Sequence, residues 1–427
     1  LDFSVPTIES LFLLVLSILT VESADSIHTL YKHFLSKLTE KSLNAFYYAC
    51  SYAKIKCCRF MNVTTRMALQ IIPENLRNEP VFLCIDDTMI AKFGQKFECA
   101  SKLFGHASHN GSNYLNGHCF VSLMLCVPVW KKNRIIYQSV PLGYCMWTKE
   151  VSKLELVADM ICTIMPELAQ KHQVLLLFDS WYAKAPLVCL ADKYKNLDII
   201  CNARYDSAIY DLPQAPTGKR GRPAKRGKRL SLIDGFSLSA EKIGDYYIGV
   251  RKVLTNIFGD RYIHAYVTAA NKTTETRRLL FSTITPESIH MACAWQEKAP
   301  LNQTCSEWMQ YVPLFVYSFR WNIEVSYYEQ KNFWSLSAYM IRSKKGIETL
   351  INLINISYCA MKILPYKDET FSQYKDSSAQ EFRLALSQQI NQQVIFASFV
   401  KNVETTIKSN ALIKAIKSAL FSFGYYG

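Results

Sequence analysis

The run VFLCIDD at 81–87 sets five apolar residues directly before two aspartates, and VLLLFD at 174–179 repeats the pattern with one. Five or six apolar residues bounded by polar sequence suit a strand buried on both faces, as the interior of a parallel or mixed sheet requires. A carboxylate closing such a strand lies at the carboxyl edge of the sheet, where open α/β sheets carry their sites. The plainer alternative is an aspartate that caps the turn leaving the strand.

The surrounding sequence predicts an α/β body. Residues 5–75 carry apolar positions at three- and four-residue spacing and read as helical. HCFVSLMLCVPV (118–129) and IIYQSVPLGYCMW (135–147) read as strands, and LELVADMICTIMPELA (154–169) as a helix. DIICNARY, YYIGVRKVLTNIF and YIHAYVTAA then interrupt the alternation as a β-rich insertion over 198–280. Helices return from about residue 287, and 370–427 is helical and more polar. The expected divisions are a helical N-terminal region at 1–78, a catalytic region at 79–345 and a helical C-terminal region at 346–427.

Composition narrows the class. The chain has 427 residues, half of them hydrophobic, and a formal charge of +14. That excludes a disordered tail protein and fits an acidic partner if the charge is concentrated. The 14 cysteines include no C-x-x-C pair and fall mostly in apolar runs, as expected of reduced, buried thiols in a cytoplasmic protein. LFLLVLSILTV (11–21), between Glu9 and Glu22, is too short to span a bilayer and reads as a buried helix. No membrane partner is expected.

A third polar feature lies far along the chain, in VYSFRWNIEVSYYEQKNFW (316–334). On one continuous helix Tyr317, Arg320, Glu324 and Lys331 fall within about a 60° arc, amid Trp321, Val325 and Tyr328. Glu324 has a bland explanation as the partner of Arg320 four residues earlier. Carboxylates at 86, 179 and 324 would instead suit two hard cations bridged by a phosphate, with Arg320 and Lys331 facing phosphates.

At these residues the sequence resembles bacterial insertion-sequence transposases of the DDE class. Tyr317-x2-Arg320-x3-Glu324-x6-Lys331 matches their YREK signature with every internal spacing. CIDDTMIAKFG (84–94) looks like the first-aspartate segment and FDSWYAK (178–184) like the second; GSNYLNGHCFVSL (111–123) and FSTIT (281–285) are also similar. The resemblance covers about residues 80–345 and implies an RNase H-like core interrupted by a β-rich insertion. It implies cleavage at element ends with Mg²⁺, for which Mn²⁺ substitutes, and transfer of the freed 3′ hydroxyl to target DNA. Asp86, Asp179 and Glu324 carry over as the ligands of two metal ions, and Tyr317, Arg320 and Lys331 as residues holding DNA beside the cleaved end. Asp86 and Asp87 point to opposite faces of a strand. Asp86 directly follows the apolar run, as the family's first acid does, and Asp87 is the alternative.

The positive charge gathers in PQAPTGKRGRPAKRGKRL (213–230). Lys219, Arg220, Arg222, Lys225, Arg226, Lys228 and Arg229 give seven positive charges in eleven residues, among prolines and glycines that prevent a helix. RGRP resembles an AT-hook, whose arginines enter the minor groove, so the loop at 217–230 is expected to contact DNA. A solvated loop between strands is the alternative. Lys32, Lys37, Lys41, Lys54, Lys56, Arg59 and Arg66 give the N-terminal helices a basic surface suited to element ends, with packing or dimerisation as the other reading. The partners expected are double-stranded DNA at element ends and at the target, with a homodimer on DNA and a nucleoid-associated location when active. A metal-dependent RNase H-like nuclease without strand transfer is the competing activity.

Overall fold

The computed structural model describes residues 4–109, 112–168, 172–214, 224–273, 277–289, 291, 305–408 and 414. Its centre is a mixed sheet. β1 (Val81–Ala91) pairs antiparallel with β3 (Ser112–Lys131), and β4 (Arg134–Trp147) pairs antiparallel with the far side of β3. β2 (Ser101–His109) covers the start of β3. On its other side β1 runs parallel to β5 (Val174–Phe178), which runs parallel to β6 (Leu197–Ala203). Every residue of β5 and the first five of β1 are buried, because both strands have neighbours on both edges and cover on both faces.

The expected β-rich insertion is corrected in one respect. Its first predicted strand is β6 of the central sheet, and the others prolong that sheet. β11 (Arg278–Ser282) pairs with β6, followed outward by β10 (Ile263–Ala269), β9 (Tyr247–Thr255), β7 (Ile209–Tyr210) and β8 (Arg229–Leu230). The basic segment is the connection of the short β7–β8 hairpin.

The main helices are α1 (Val5–Thr20), α2 (Cys57–Leu69), α3 (Lys153–Leu168), α4 (Cys305–Ser318), α5 (Asn322–Phe333), α6 (Lys344–Lys367) and α7 (Ala379–Lys408). The helices of the two terminal regions pack on each other and on β4. One hydrophobic cluster runs from Leu11 through the sheet to Phe382. α6 is long and apolar enough to cross a membrane, yet 72% of its apolar window is buried, which makes it a core helix. Its Asn352 exchanges two hydrogen bonds with the backbone of Tyr144, at 2.9 and 3.0 Å, and Asn355 donates to the Pro141 carbonyl at 3.0 Å. These amides satisfy main-chain groups of β4, which would otherwise be an open edge.

The single helix expected over 316–334 is also corrected. α4 ends at Ser318, a 3₁₀ turn covers Phe319–Trp321, and α5 begins at Asn322. The tighter turn sets the Phe319 ring 5.1 Å from Phe82 of β1 and 5.2 Å from Tyr137 of β4. Aromatic packing on the sheet overrides the ideal helical repeat that placed the four polar residues on one arc.

Arg383 of α7 joins the two ends of the chain to α5. It is 4% exposed and donates to the carbonyls of Ile18 at 2.8 Å, Leu19 at 3.3 Å and Val21 at 2.7 Å, and to that of Phe333. It therefore caps the C-terminal ends of α1 and α5 together. Arg383→Leu is expected to destabilise the protein by about 2–4 kcal/mol, because several buried carbonyls lose a charged donor. Urea unfolding checks this, and a loss under about 0.5 kcal/mol, ordinary for a surface site, contradicts the capping role.

Candidate active site

In the β1–β5 pairing Cys84 lies opposite Leu177. Asp86 and Asp179 each follow two residues later, so they stand at one level along adjacent parallel strands. Phe82, Cys84 and Asp86 share one face of β1, and the segment from Phe319 to Phe333 covers that face. The Cys84 thiol donates to the Phe319 carbonyl at 3.7 Å. The Arg320 guanidinium lies 3.6 Å from the Asp86 carboxylate and donates to Glu324 Oε1 at 2.7 Å. One partly buried cation thus joins the strand acid to the helix acid. Ser122, opposite Asp86 on β3, bonds the Tyr327 hydroxyl at 2.7 Å and fixes α5 one turn beyond Glu324.

Asp87 faces the other way. Its Oδ2 lies 2.7 Å from Lys153 Nζ at the start of α3 and accepts from the Cys119 thiol at 3.2 Å. Its Oδ1 accepts from the Tyr182 hydroxyl at 2.8 Å. Asp87 has three side-chain partners, whereas Asp86 has the backbone N–H of Asp87, at 2.8 Å, and a longer contact with Arg320.

The electrostatics follow from this packing. Burial pushes the Asp86 carboxyl up to about 7; the neighbouring charges of Asp87 and Asp179 add to the rise, while the Asp87 N–H and Arg320 oppose it. Burial also raises Asp179, against the N–H groups of Trp181 and Tyr182 and the charge of Arg320. Burial works against the charge of Arg320, but Tyr317, Glu324 and Asp86 outweigh it and hold the guanidinium protonated. Burial lowers Lys331, which donates to the Met89 carbonyl of β1 at 3.2 Å. Tyr317, raised by burial, lies beside Arg320 in a cleft of about 490 Å³ that also includes Arg278 and Trp321. A second cleft, of about 690 Å³, opens over Asp86, Asp87 and Asp179 between Lys153, Trp181 and Lys184.

The donor chemistry fits a hard divalent cation: carboxylate oxygens on two neighbouring strand ends and a facing helix, the two strand acids being raised in a way that a cation would relieve. Among the described residues no three His, Cys, Asp or Glu side chains converge closely enough to enclose an ion. The Arg320 guanidinium occupies the position between Asp86 and Glu324.

Of the seven basic residues at 219–229, Lys219, Arg220 and Arg222 lie outside the described residues, and Arg229 belongs to β8. Lys225 pairs with Asp260 at 3.2 Å. Arg226 bonds Asn256 and lies 5.0 Å over the Tyr210 ring, so both side chains engage the insertion itself. Lys228 and Arg229 are exposed. Lys153 and Tyr182 were not singled out in the sequence. Their only signal there was that a second buried-strand acid, Asp87, must find countercharge and donors.

Residues 57–242 match the profile of the family described as DDE superfamily endonuclease. A DDE-superfamily endonuclease domain therefore occupies this part of the chain, consistent with an enzyme family of mobile elements. The match spans Asp86, Asp87, Asp179 and the basic hairpin connection, and ends before the helix that carries Glu324. No curated protein matches the chain.

A raised acid has a definite stability sign. Its favourable contribution to folding is complete below the unfolded pKa, near the ordinary value of 3.8, and is lost as pH rises through the folded value of about 7. Asp86→Asn is therefore expected to raise the melting temperature of the metal-free protein at pH 8 and to change it little at pH 4. Calorimetric scans at the two pH values test this; an equal shift at both would show that Asp86 is not strained by ionisation.

Proposed function

We propose that the protein is a DDE transposase of the insertion-sequence type, cutting DNA at element ends and joining the freed 3′ hydroxyl to target DNA. The observation that carries this reading is the arrangement of Asp86, Glu324 and Asp179 around Arg320, at adjacent parallel strand ends and on the helix facing them. The order β4-β3-β1-β5-β6, with three antiparallel strands followed by two parallel ones, supports an RNase H-like core.

Enzymes of the DDE superfamily generally use divalent metal ions. Here Asp86, Asp179 and Glu324 would hold two Mg²⁺, or Mn²⁺ in their place. Such ions supply activation of the attacking water or hydroxyl and stabilisation of the leaving oxygen. Arg320, the cation that touches two of the three acids, stabilises charge building on the scissile phosphate and orients it through its planar fork. Tyr317, in the cleft beside Arg320, and Lys331, further along α5, hold the DNA backbone near the cleaved end. The basic hairpin binds DNA through Lys228, Arg229 and the residues at 219–222. The protein acts as a homodimer on DNA in the cytoplasm of a bacterium, at the nucleoid. The competing reading, a nuclease without strand transfer, draws on the matched family's description as an endonuclease.

Glu324→Gln should abolish both cleavage and joining, because a neutral amide is a poor ligand for a hard cation. Arg320→Ala and Lys331→Ala should retain metal binding and lose DNA-dependent steps. The assay incubates the protein with its genomic flanking DNA, plasmid target and Mg²⁺. Cuts without joined product, with the 3′ hydroxyl available, favour the nuclease; full activity of Glu324→Gln refutes both readings.

Replacing Arg220 and Arg222 together by alanine should weaken DNA binding and lower the slope of log K against log salt by about 1–2 units. A slope equal to that of the parent would place the hairpin away from DNA.

A further inference from the structure

Asp87 and Tyr182 form a link between the two strand acids. Tyr182 follows Asp179 by three residues, and the intervening turn is closed on Asp179 itself. Asp179 Oδ1 accepts from the N–H of Trp181 at 3.0 Å and that of Tyr182 at 3.4 Å, and its carbonyl accepts from Tyr182 N–H at 3.2 Å. The Tyr182 ring is 1% exposed and its hydroxyl ends on Asp87 Oδ1 at 2.8 Å. Asp87 is the covalent neighbour of Asp86. A closed path therefore runs from Asp86 through Asp87, the phenol and the turn to Asp179. Lys153, 2.7 Å from Asp87 Oδ2, holds the free side of that carboxylate and brings the start of α3 to the same point.

We infer that Asp87 and Tyr182 are positioning residues that fix the spacing of Asp86 and Asp179 for metal binding without touching the metal. This rests on the reading of Asp86 and Asp179 as ligands. Adjacent strands alone place two carboxylates at one level, but Asp179 lies just past the end of β5, where the ladder no longer holds it. The phenol bond supplies the missing constraint from the opposite face of β1. Lys153 leaves Asp87 charge-compensated, so the second acid of the pair does not compete for the cation. Partners of this kind typically change metal affinity roughly 10–100-fold when removed.

The test is Mn²⁺ calorimetry on the full chain, paired with hydrogen exchange at the amides of Trp181 and Tyr182 in metal-free buffer. Tyr182→Phe keeps the buried ring and removes only the hydroxyl. It is expected to weaken Mn²⁺ binding about tenfold and to speed exchange at both amides. The Mg²⁺ concentration for half-maximal cleavage should shift by the same factor, while the rate at saturating Mg²⁺ changes far less. Asp87→Asn retains an oxygen for the phenol and should keep Mn²⁺ binding that Asp86→Asn loses. Unchanged affinity and exchange in Tyr182→Phe overturn the inference. Loss of Mn²⁺ binding in Asp87→Asn as complete as in Asp86→Asn also overturns it, by making Asp87 a ligand. A parent protein that binds no Mn²⁺ refutes the metal reading, and the inference with it; accelerated exchange in Tyr182→Phe would then still establish the link between Asp87 and the turn.

Discussion

The partly buried Arg320 guanidinium bridges a strand carboxylate and a helix carboxylate, and the arrangement of the site depends on it. Carboxylates gathered in a region of low dielectric repel one another and each loses hydration. Burial raises both Asp86 and Asp179, and the charge of Asp87 adds to each, which marks a cluster short of positive charge even with Arg320 present. A structural ion pair would be satisfied by one acid. Arg320 is shared by Glu324 and Asp86 and acts on Asp179 as well, leaving an electrostatic demand that a divalent cation or a cation–phosphate assembly would meet.

The rest of the fold keeps that cation and its acids in place. The parallel pairing of β1 and β5 sets the level of the two aspartates, and Phe319 packed on Phe82 and Tyr137 fixes where the helix carrying Glu324 begins. Ser122 holds Tyr327, the Tyr358 hydroxyl and Lys362 of α6 meet Glu329, and Arg383 closes the end of α5. Partners from β3, α6 and α7 thus converge on a helix of 12 residues. The terminal helical regions accordingly belong to the same packing unit as the sheet.

The helix–strand pattern was legible wherever burial followed a simple period. β5 and the start of β1 are fully apolar because both faces are covered, and α3 shows its apolar stripe because one face is. The reading went astray where a tertiary contact overrides local repeat. β6 reads like any strand of the insertion, and only its pairing with β5 makes it central. Phe319 reads as one more apolar residue of a helix, and only its seat on the sheet explains the 3₁₀ turn.

The sequence by itself determined the apolar strands, the acids that close them and the spacing of Tyr317, Arg320, Glu324 and Lys331, since these depend on chain order and side-chain period alone. Which face each acid occupies was decided by the tertiary structure. Alternation along β1 separates Asp86 from Asp87, but Phe319 and Arg320 on one side, and Lys153 and Tyr182 on the other, give those faces their chemistry. Lys153 and Tyr182 lie 66 and 95 residues from Asp87 along the chain, and Arg320 lies 234 from Asp86. Contacts at that separation leave no local period in a sequence, and appear only when the sheet and its covering helices close on one another.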